Sequence, residues 1–331
     1  MAELFGYRYQ LSIGNKSEYL NISLNPGNST IDKDTRAKLL SRSSDVGYLR
    51  SALTSGLRIS FMVQQEFGGF VSYAEISVYN LTTENEEKIF EKYRLVTLQA
   101  GFPELFGTIF KGQIINYQRI AGTNEGTHGI KLFCRSSAES LDFSHINRTF
   151  APEAEIVEVI RTVAAAIGNP VVFYGEFSAL PKRSRGTVLK GSPNKLLDKM
   201  AGWFDFSWAI ENGVTKIIKK GAKADGDMFV FSAQTGMIGS PVVGDGEVNV
   251  RVALNPAVKL ASNVQIKSLA PEFAFSGAYF VDIPRSIGEG VFQVRRINHV
   301  GDSFSAVWET QLTCFRLADV QRNSIAERST R

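Results

Sequence analysis

IFKGQIIN, from Ile109 to Asn116, and VFQVRRIN, from Val291 to Asn298, read alike although they lie far apart in the chain. Phe110 falls on Phe292, Ile115 on Ile297 and Asn116 on Asn298 in one register. Downstream, KLFCR (Lys131–Arg135) matches QLTCF (Gln311–Phe315), with Leu132 on Leu312 and Cys134 on Cys314. Upstream, AEISVYNL (Ala74–Leu81) loosely matches NVRVALN (Asn249–Asn255), and VTLQAG (Val96–Gly101) loosely matches VQIKS (Val264–Ser268). The segments come in the same order in both halves, with insertions between them where surface loops tolerate them. The chain therefore encodes one β-unit twice.

Around these runs the patterning is that of antiparallel strands. Tyr7–Ile13 and Tyr19–Leu24 are short and rich in β-branched and aromatic residues, with Gly14-Asn15-Lys16 as a turn. In Arg58–Gln64, Ile59, Phe61 and Val63 alternate with more polar neighbours, and Tyr73–Tyr79 alternates again after Gly68-Gly69. Thr83 and Glu86 have capping-box spacing and predict a helix over Thr83–Lys92. Strands are expected at Leu95–Ala100, Thr108–Arg119 and Gly129–Arg135. In the last third, Val248, Val250, Val252 and Leu254 alternate strictly, followed by strands at Gly290–Asn298 and Ala306–Phe315.

The middle changes period. Ile156, Val159, Ile160, Val163 and Ile167 recur at helical spacing, with Pro152 expected in the first turn. Ser192 and Pro193 open a second helix through Leu196, Leu197 and Met200 that should end near Gly202. Asn212-Gly213 between Phe204–Glu211 and Val214–Lys219 is a type I′ hairpin signal. The fold class expected is mainly β with an α/β insertion: barrel one over residues 1–150, a small α/β domain over 151–228, barrel two over 229–318, and a polar tail over 319–331.

The chain has 331 residues, 44% of them hydrophobic and 21% charged, which matches a folded protein of two or three domains. The net charge of +4 is too small for bulk electrostatic binding of nucleic acid. Cys134 and Cys314 occupy matching positions and read as buried thiols in a reducing compartment. No signal peptide is read at the N-terminus, and no run reaches the ~18 apolar residues of a membrane helix.

Chemistry-bearing motifs are scarce. His128, His145 and His299 have no His or Cys at ligand spacing, so no metal is expected. His299 is read as fixing a turn before Gly301-Asp302. Asp225-Gly226-Asp227 lacks the rest of a calcium loop. Neither a phosphate loop nor a nucleophile elbow occurs. Glu153, Glu155 and Glu158 cluster where a helix start favours acids. No cofactor and no catalytic activity are expected.

A β-unit encoded twice lets three chains form a ring of six similar barrels, able to mate sixfold and threefold objects. The residues also carry a resemblance. ISVYNLTTENEEKIFEKYRLVTLQAGFPELFGTIFKGQI (Ile76–Ile114) and GVFQVRRINHVGDSFSAVWETQLTC (Gly290–Cys314) resemble the two tail-tube-like barrels of baseplate hub proteins of contractile-tailed phages. GTVLKGSPNKLLDKMAGWFDFSW (Gly186–Trp208) is similar to the small α/β module of such hubs, and more faintly to a LysM fold.

The resemblance implies a homotrimeric structural subunit joining the tail tube to the central spike. Its partners would be the tube or a tube-terminating protein, the spike and baseplate wedge proteins, with DNA a transient contact in the lumen and no membrane insertion. The protein would reside in the virion baseplate after assembly in the host cytoplasm. The other readings are a cell-wall-binding or cell-wall-degrading tail-tip protein, and the hub of a non-phage contractile injection machine. Two candidate contact sites follow. Arg36, Lys38 and Arg42 lie in the long polar stretch Asn25–Gly56 and would dock the tube. Lys182, Arg183 and Arg185 form a basic loop, with Lys216, Lys219 and Lys220 further along the same domain, which would meet DNA phosphates, another subunit or only solvent.

Overall fold

The computed structural model describes residues 6–15, 17–24, 56–69, 71–121, 128–182, 184–219, 222, 228–244, 247–268, 271–274 and 290–316. The first unit contains β1 (Arg8–Gly14), β2 (Tyr19–Leu24), β3 (Ile59–Glu66), β4 (Tyr73–Tyr79), α1 (Thr83–Glu91), β5 (Leu95–Phe102), β6 (Leu105–Ala121) and β7 (His128–Arg135). The inserted unit contains α2 (Ala138–Phe143), β8 (Ile146–Phe150), α3 (Ile156–Ala165), β9 (Val171–Tyr174), β10 (Thr187–Gly191), α4 (Pro193–Phe204), β11 (Phe206–Glu211) and β12 (Val214–Lys219). The last unit contains β13 (Phe229–Phe231), β14 (Val242–Val243), β15 (Glu247–Ala253), β16 (Asn263–Ile266), β17 (Glu272–Phe273), β18 (Gly290–Asp302) and β19 (Trp308–Arg316).

Three separate apolar cores define the units. In the first, the strand order is β3-β4-β7-β6-β5-β1-β2, and every one of these strands contributes buried side chains to one core. Alternate residues point inward, as Ile59, Phe61 and Val63 do on β3 and Tyr9, Leu11 and Ile13 on β1. The Tyr9 hydroxyl of β1 reaches the Leu57 carbonyl just before β3, and Gly56 lies against Ser23 and Leu24 of β2, so the two ends of the strand order meet and the sheet is rolled. In the last unit, β15, β19, β18, β16 and β13 wrap a second core.

The duplication holds, but its register needs correcting. β4-β7-β6-β5 in the first barrel corresponds to β15-β19-β18-β16 in the second. Cys134 lies opposite Ala74 and Ile114, and Cys314 lies opposite Val248 and Val294. Both long strands then carry a bulge at the next residue, between Ile114 and Asn116 and between Val294 and Arg296. Ile115 therefore corresponds to Arg295, not Ile297, and the match of Phe110 to Phe292 is two residues out. Side chains repeat every two residues, so a slip of two keeps each on its face and leaves the hydrophobic pattern unchanged. Val96 and Val264 do correspond, since Leu95 pairs with Gln113 and Asn263 with Gln293. The outermost strands differ: β1 runs antiparallel to β5, whereas β13 runs parallel to β16.

The inserted unit begins before residue 151. Leu141 and Ile146 belong to its core, and β8 pairs with β10. Its helices also differ in detail from the sequence expectation. Pro152 precedes α3 in a turn, with Glu153 at φ +65°, and Glu155 is the N-cap. α4 has Pro193 at its start, as expected, but runs past Gly202 and stops at Asp205, which is left-handed at φ +50°. In barrel one, the cap of α1 is Thr82, whose side chain accepts the Asn85 N–H; the Thr83–Glu86 spacing is one residue late. Asn212 and Gly213 both have positive φ, as a type I′ turn demands. Among the described residues, no helix is long and apolar enough to cross a membrane.

Candidate functional site: the junction between the barrels

The two barrels are joined by hydrogen-bonded sheet. β18 is long enough to serve both: Gly290–Gln293 pairs with β16, and Arg296–Asp302 pairs with β3 of the first barrel. β19 lines the other side of β18 from Phe292 to Gly301, so a 14-stranded sheet runs through both units.

The tip of the β18–β19 hairpin is buried in the first barrel. Trp308 belongs to that barrel's core and stacks on Tyr7, with ring centroids 4.8 Å apart and planes 11° from parallel. Phe61 meets the indole edge-on at 5.1 Å, and the indole N–H donates to the Gly101 carbonyl at 3.1 Å. Gly301 lies opposite Trp308, where a Cβ would come within 2.5 Å of the Phe61 ring and 2.7 Å of the indole. The Arg58 guanidinium makes two bonds to the Asp302 carboxylate, at 3.2 and 2.7 Å, and lies over the Tyr79 ring. These bonds hold Arg58 above its ordinary pKa.

His299 corrects the expectation of a turn. It sits inside β18, fully buried, with Nδ1 2.8 Å from the Thr310 hydroxyl. Burial, reinforced by the Lys259 charge, pushes its pKa down to about 3. The same hydroxyl accepts the Asn255 N–H, so a neutral imidazole completes a buried polar network.

The inserted unit is pinned to this junction. Gly68 and Gly69, both at positive φ, donate to the Trp208 carbonyl, and Ser72 donates to that of Ile210. A Cβ on Gly69 would lie 2.5 Å from Asp198 Oδ1, which accepts the Trp208 indole N–H. Buried Glu211 takes Lys216 at 2.5 Å and faces Lys259 at 3.8 Å, and Lys259 also donates to the Thr108 carbonyl of barrel one. One carboxylate thus links all three units.

The outward face of the continuous sheet is polar, and several of its charges are paired. Arg251 bonds Glu309, Arg296 bonds Glu66 through both nitrogens, and Lys131 bonds Glu75. Burial alone would raise Glu309, but bonds from Arg251 and Gln311 bring it below its ordinary pKa. A cleft of about 450 Å³ on this face is lined by Arg251, Arg296, Asn298, Gln311 and Thr313 among others.

The residues singled out from sequence lie elsewhere. Arg36, Lys38 and Arg42 are outside the described residues, as are Arg183, Lys220 and Asp225–Asp227. Lys182 and Arg185 are exposed, and Lys182 comes within 3.9 Å of Glu155. Lys216 cannot serve a phosphate because it is buried against Glu211, and Lys219 donates to the Phe204 carbonyl. Cys134 and Cys314 are buried free thiols, which burial pushes up in pKa. No group of three or more His, Cys, Asp or Glu able to hold a metal occurs among the described residues. Sequence reasoning missed Trp308, Tyr7 and the Arg58–Asp302 pair. Their only signal was a tryptophan beginning a strand, which does not name its partner.

The fold is similar to that of phage tail proteins and of a type VI secretion component. The 43 kDa tail protein of prophage MuSo2 from Shewanella oneidensis is 8% identical, with a TM-score of 0.56 over 95% of this chain and 98% of its own. The E. coli c3393 protein, a type VI secretion component with structural similarity to the T4 tail proteins gp27 and gp5, is 8% identical, with a TM-score of 0.53 over 78% and 73%. A chain of the half-lidded Francisella PdpA–VgrG complex is 5% identical, with a TM-score of 0.53 over 94% of this chain and 58% of its own. No family model and no curated protein matches the sequence.

Proposed function

We propose that this chain is a non-enzymatic hub subunit of a contractile phage tail. Three copies form a pseudo-sixfold ring between the tail tube and the central spike, braced by baseplate wedge proteins. DNA crosses its lumen at ejection, and assembly takes place in the host cytoplasm before incorporation in the virion. The observation that carries this reading is the junction itself. One barrel type occurs twice and continues as sheet from copy to copy, so each chain supplies two successive members of a ring. Likeness to a chain from a PdpA–VgrG complex supports a spike-type partner. A face on which Arg251, Arg296 and Lys131 are already paired suits a wall past which DNA must slide without sticking.

The c3393 likeness favours one second reading, the same ring in a non-phage injection machine. Native mass spectrometry of the purified chain, alone and with its spike, tests the ring. A trimer with an axial pore in electron micrographs is expected; a monomer under both conditions would end the proposal.

A further inference from the structure

On the inserted unit, β8 and β10 form a two-stranded sheet, and among the described residues β10 is the only strand that bonds β8. Alternate backbone N–H and C=O groups of such a strand point away from its partner. The far side of β8 borders a cleft of about 560 Å³, to whose lining β10 contributes nothing.

The walls of this cleft are regular. Four consecutive residues, His145 to Arg148, make one wall, and Glu158, Arg161, Thr162 and Ala165 of α3 make the other. Residues spaced by three, four and seven share one face of a helix, whereas consecutive residues of a strand share only its edge. The cleft is therefore a channel between a strand edge and a helix face. Its walls match in length, about 17 Å for the five residues of β8 and about 15 Å for the ten of α3.

The channel is basic. Ile146, Arg148 and Phe150 share one face of β8, and Ile146 and Phe150 pack into the core to which α3 gives Val159, Ile160 and Val163. Arg148 thus stands on the α3 side of the strand, exposed at the rim. Among the described residues, His145 and Arg148 form no ion pair. Arg161 lies over the Phe173 ring at 4.8 Å and meets Glu158 only at 3.7 Å, with both side chains more than half exposed. So open a pair contributes little and yields to a better-placed carboxylate. Two guanidiniums and an imidazole therefore face a single carboxylate.

We propose that this channel binds an extended acidic segment of a partner protein, added to β8 as a third strand with its carboxylates on Arg148 and Arg161. A wall made of strand edge calls for a ligand carrying its own row of amides, which a free anion lacks, and β8 has no proline to block the ladder. The arginines select carboxylates, which a guanidinium takes through two parallel N–H bonds. This goes beyond the ring reading and does not depend on it: the inserted unit tethers a neighbouring component by strand addition.

The test titrates the full chain into a fluorescein-labelled hexapeptide of alternating valine and glutamate, which as a strand places all its carboxylates on one face. Fluorescence anisotropy should show binding, and hydrogen exchange should slow in residues 145–150. The peptide with lysine for glutamate should not bind. N-methylation of one alternate set of amides should abolish binding, and of the other set should not. Arg148→Ala with Arg161→Ala should weaken the acidic peptide about tenfold or more. Arg148→Glu with Arg161→Glu should bind the lysine peptide instead, a gain that a misfolded chain cannot give. Failure of the acidic peptide to bind, binding that survives both alanines, equal effects of the two methylated sets, or unchanged exchange in residues 145–150 overturns the proposal. Tighter binding of a single-stranded oligonucleotide through the same arginines also overturns it and makes the channel a nucleic-acid site.

Discussion

Trp308 stacks on Tyr7, so a residue near the end of the described chain completes the core of the barrel built at its start. The two barrels are consequently not independent folding units: the first lacks a core side chain until the second has formed its hairpin.

Trp308→Ala should cost about 3–5 kcal/mol, the range for deleting a buried large aromatic side chain. It should also divide one urea transition into two, because the junction loses its anchor. Far-UV circular dichroism and tryptophan fluorescence followed through the same titration would check this. A variant that unfolds in one step at the wild-type midpoint would show that the stack does not couple the barrels.

His299 makes stability depend on pH. Its native pKa is lowered from 6.5 to about 3, so between those values the unfolded chain takes up a proton that the native chain refuses. The stability it contributes is present above pH 6.5 and is lost as pH falls, by up to about 1.4 kcal/mol per unit. His299→Asn cannot titrate and should flatten the curve by one proton between pH 6.5 and 4. Urea midpoints of both proteins across that range give the slope; equal slopes would mean that His299 protonates freely in the fold.

The paired cations on the outward face should become DNA ligands when their carboxylates are neutralised. Glu66→Gln combined with Glu309→Gln frees Arg296 and Arg251, whose side chains are 47% and 59% exposed. Duplex DNA should then bind more tightly, with a salt slope steeper by about two. Fluorescence anisotropy at several salt concentrations measures this, and unchanged binding would mean that DNA does not reach this face.

The duplication, the β class, the inserted α/β unit and the Asn212-Gly213 hairpin were legible in the sequence, because each leaves a local signature: alternation of period two, helical spacing, or a residue pair that tolerates positive φ. Matching cysteines even set the correct register of β7 against β19. The register of β6 against β18 was not legible, since two residues of slip preserve the faces and a bulge hides in an ordinary strand. The turn assigned to His299 failed for a related reason: β18 continues past Asn298 because a strand of the other barrel is there to bond it, and nothing local announces that partner.

What the sequence by itself determined is therefore the repeated unit and its inward-facing residues, which follow from short-range periodicity. Only the tertiary structure decided that Trp308 belongs to the other barrel's core, that Glu211 joins three units, and that the end of β18 is covered by β3 while, among the described residues, no strand takes that place beside the matching end of β6. Those relations link residues far apart along the chain, and the partner of a buried group is set by packing in three dimensions, which no local pattern encodes.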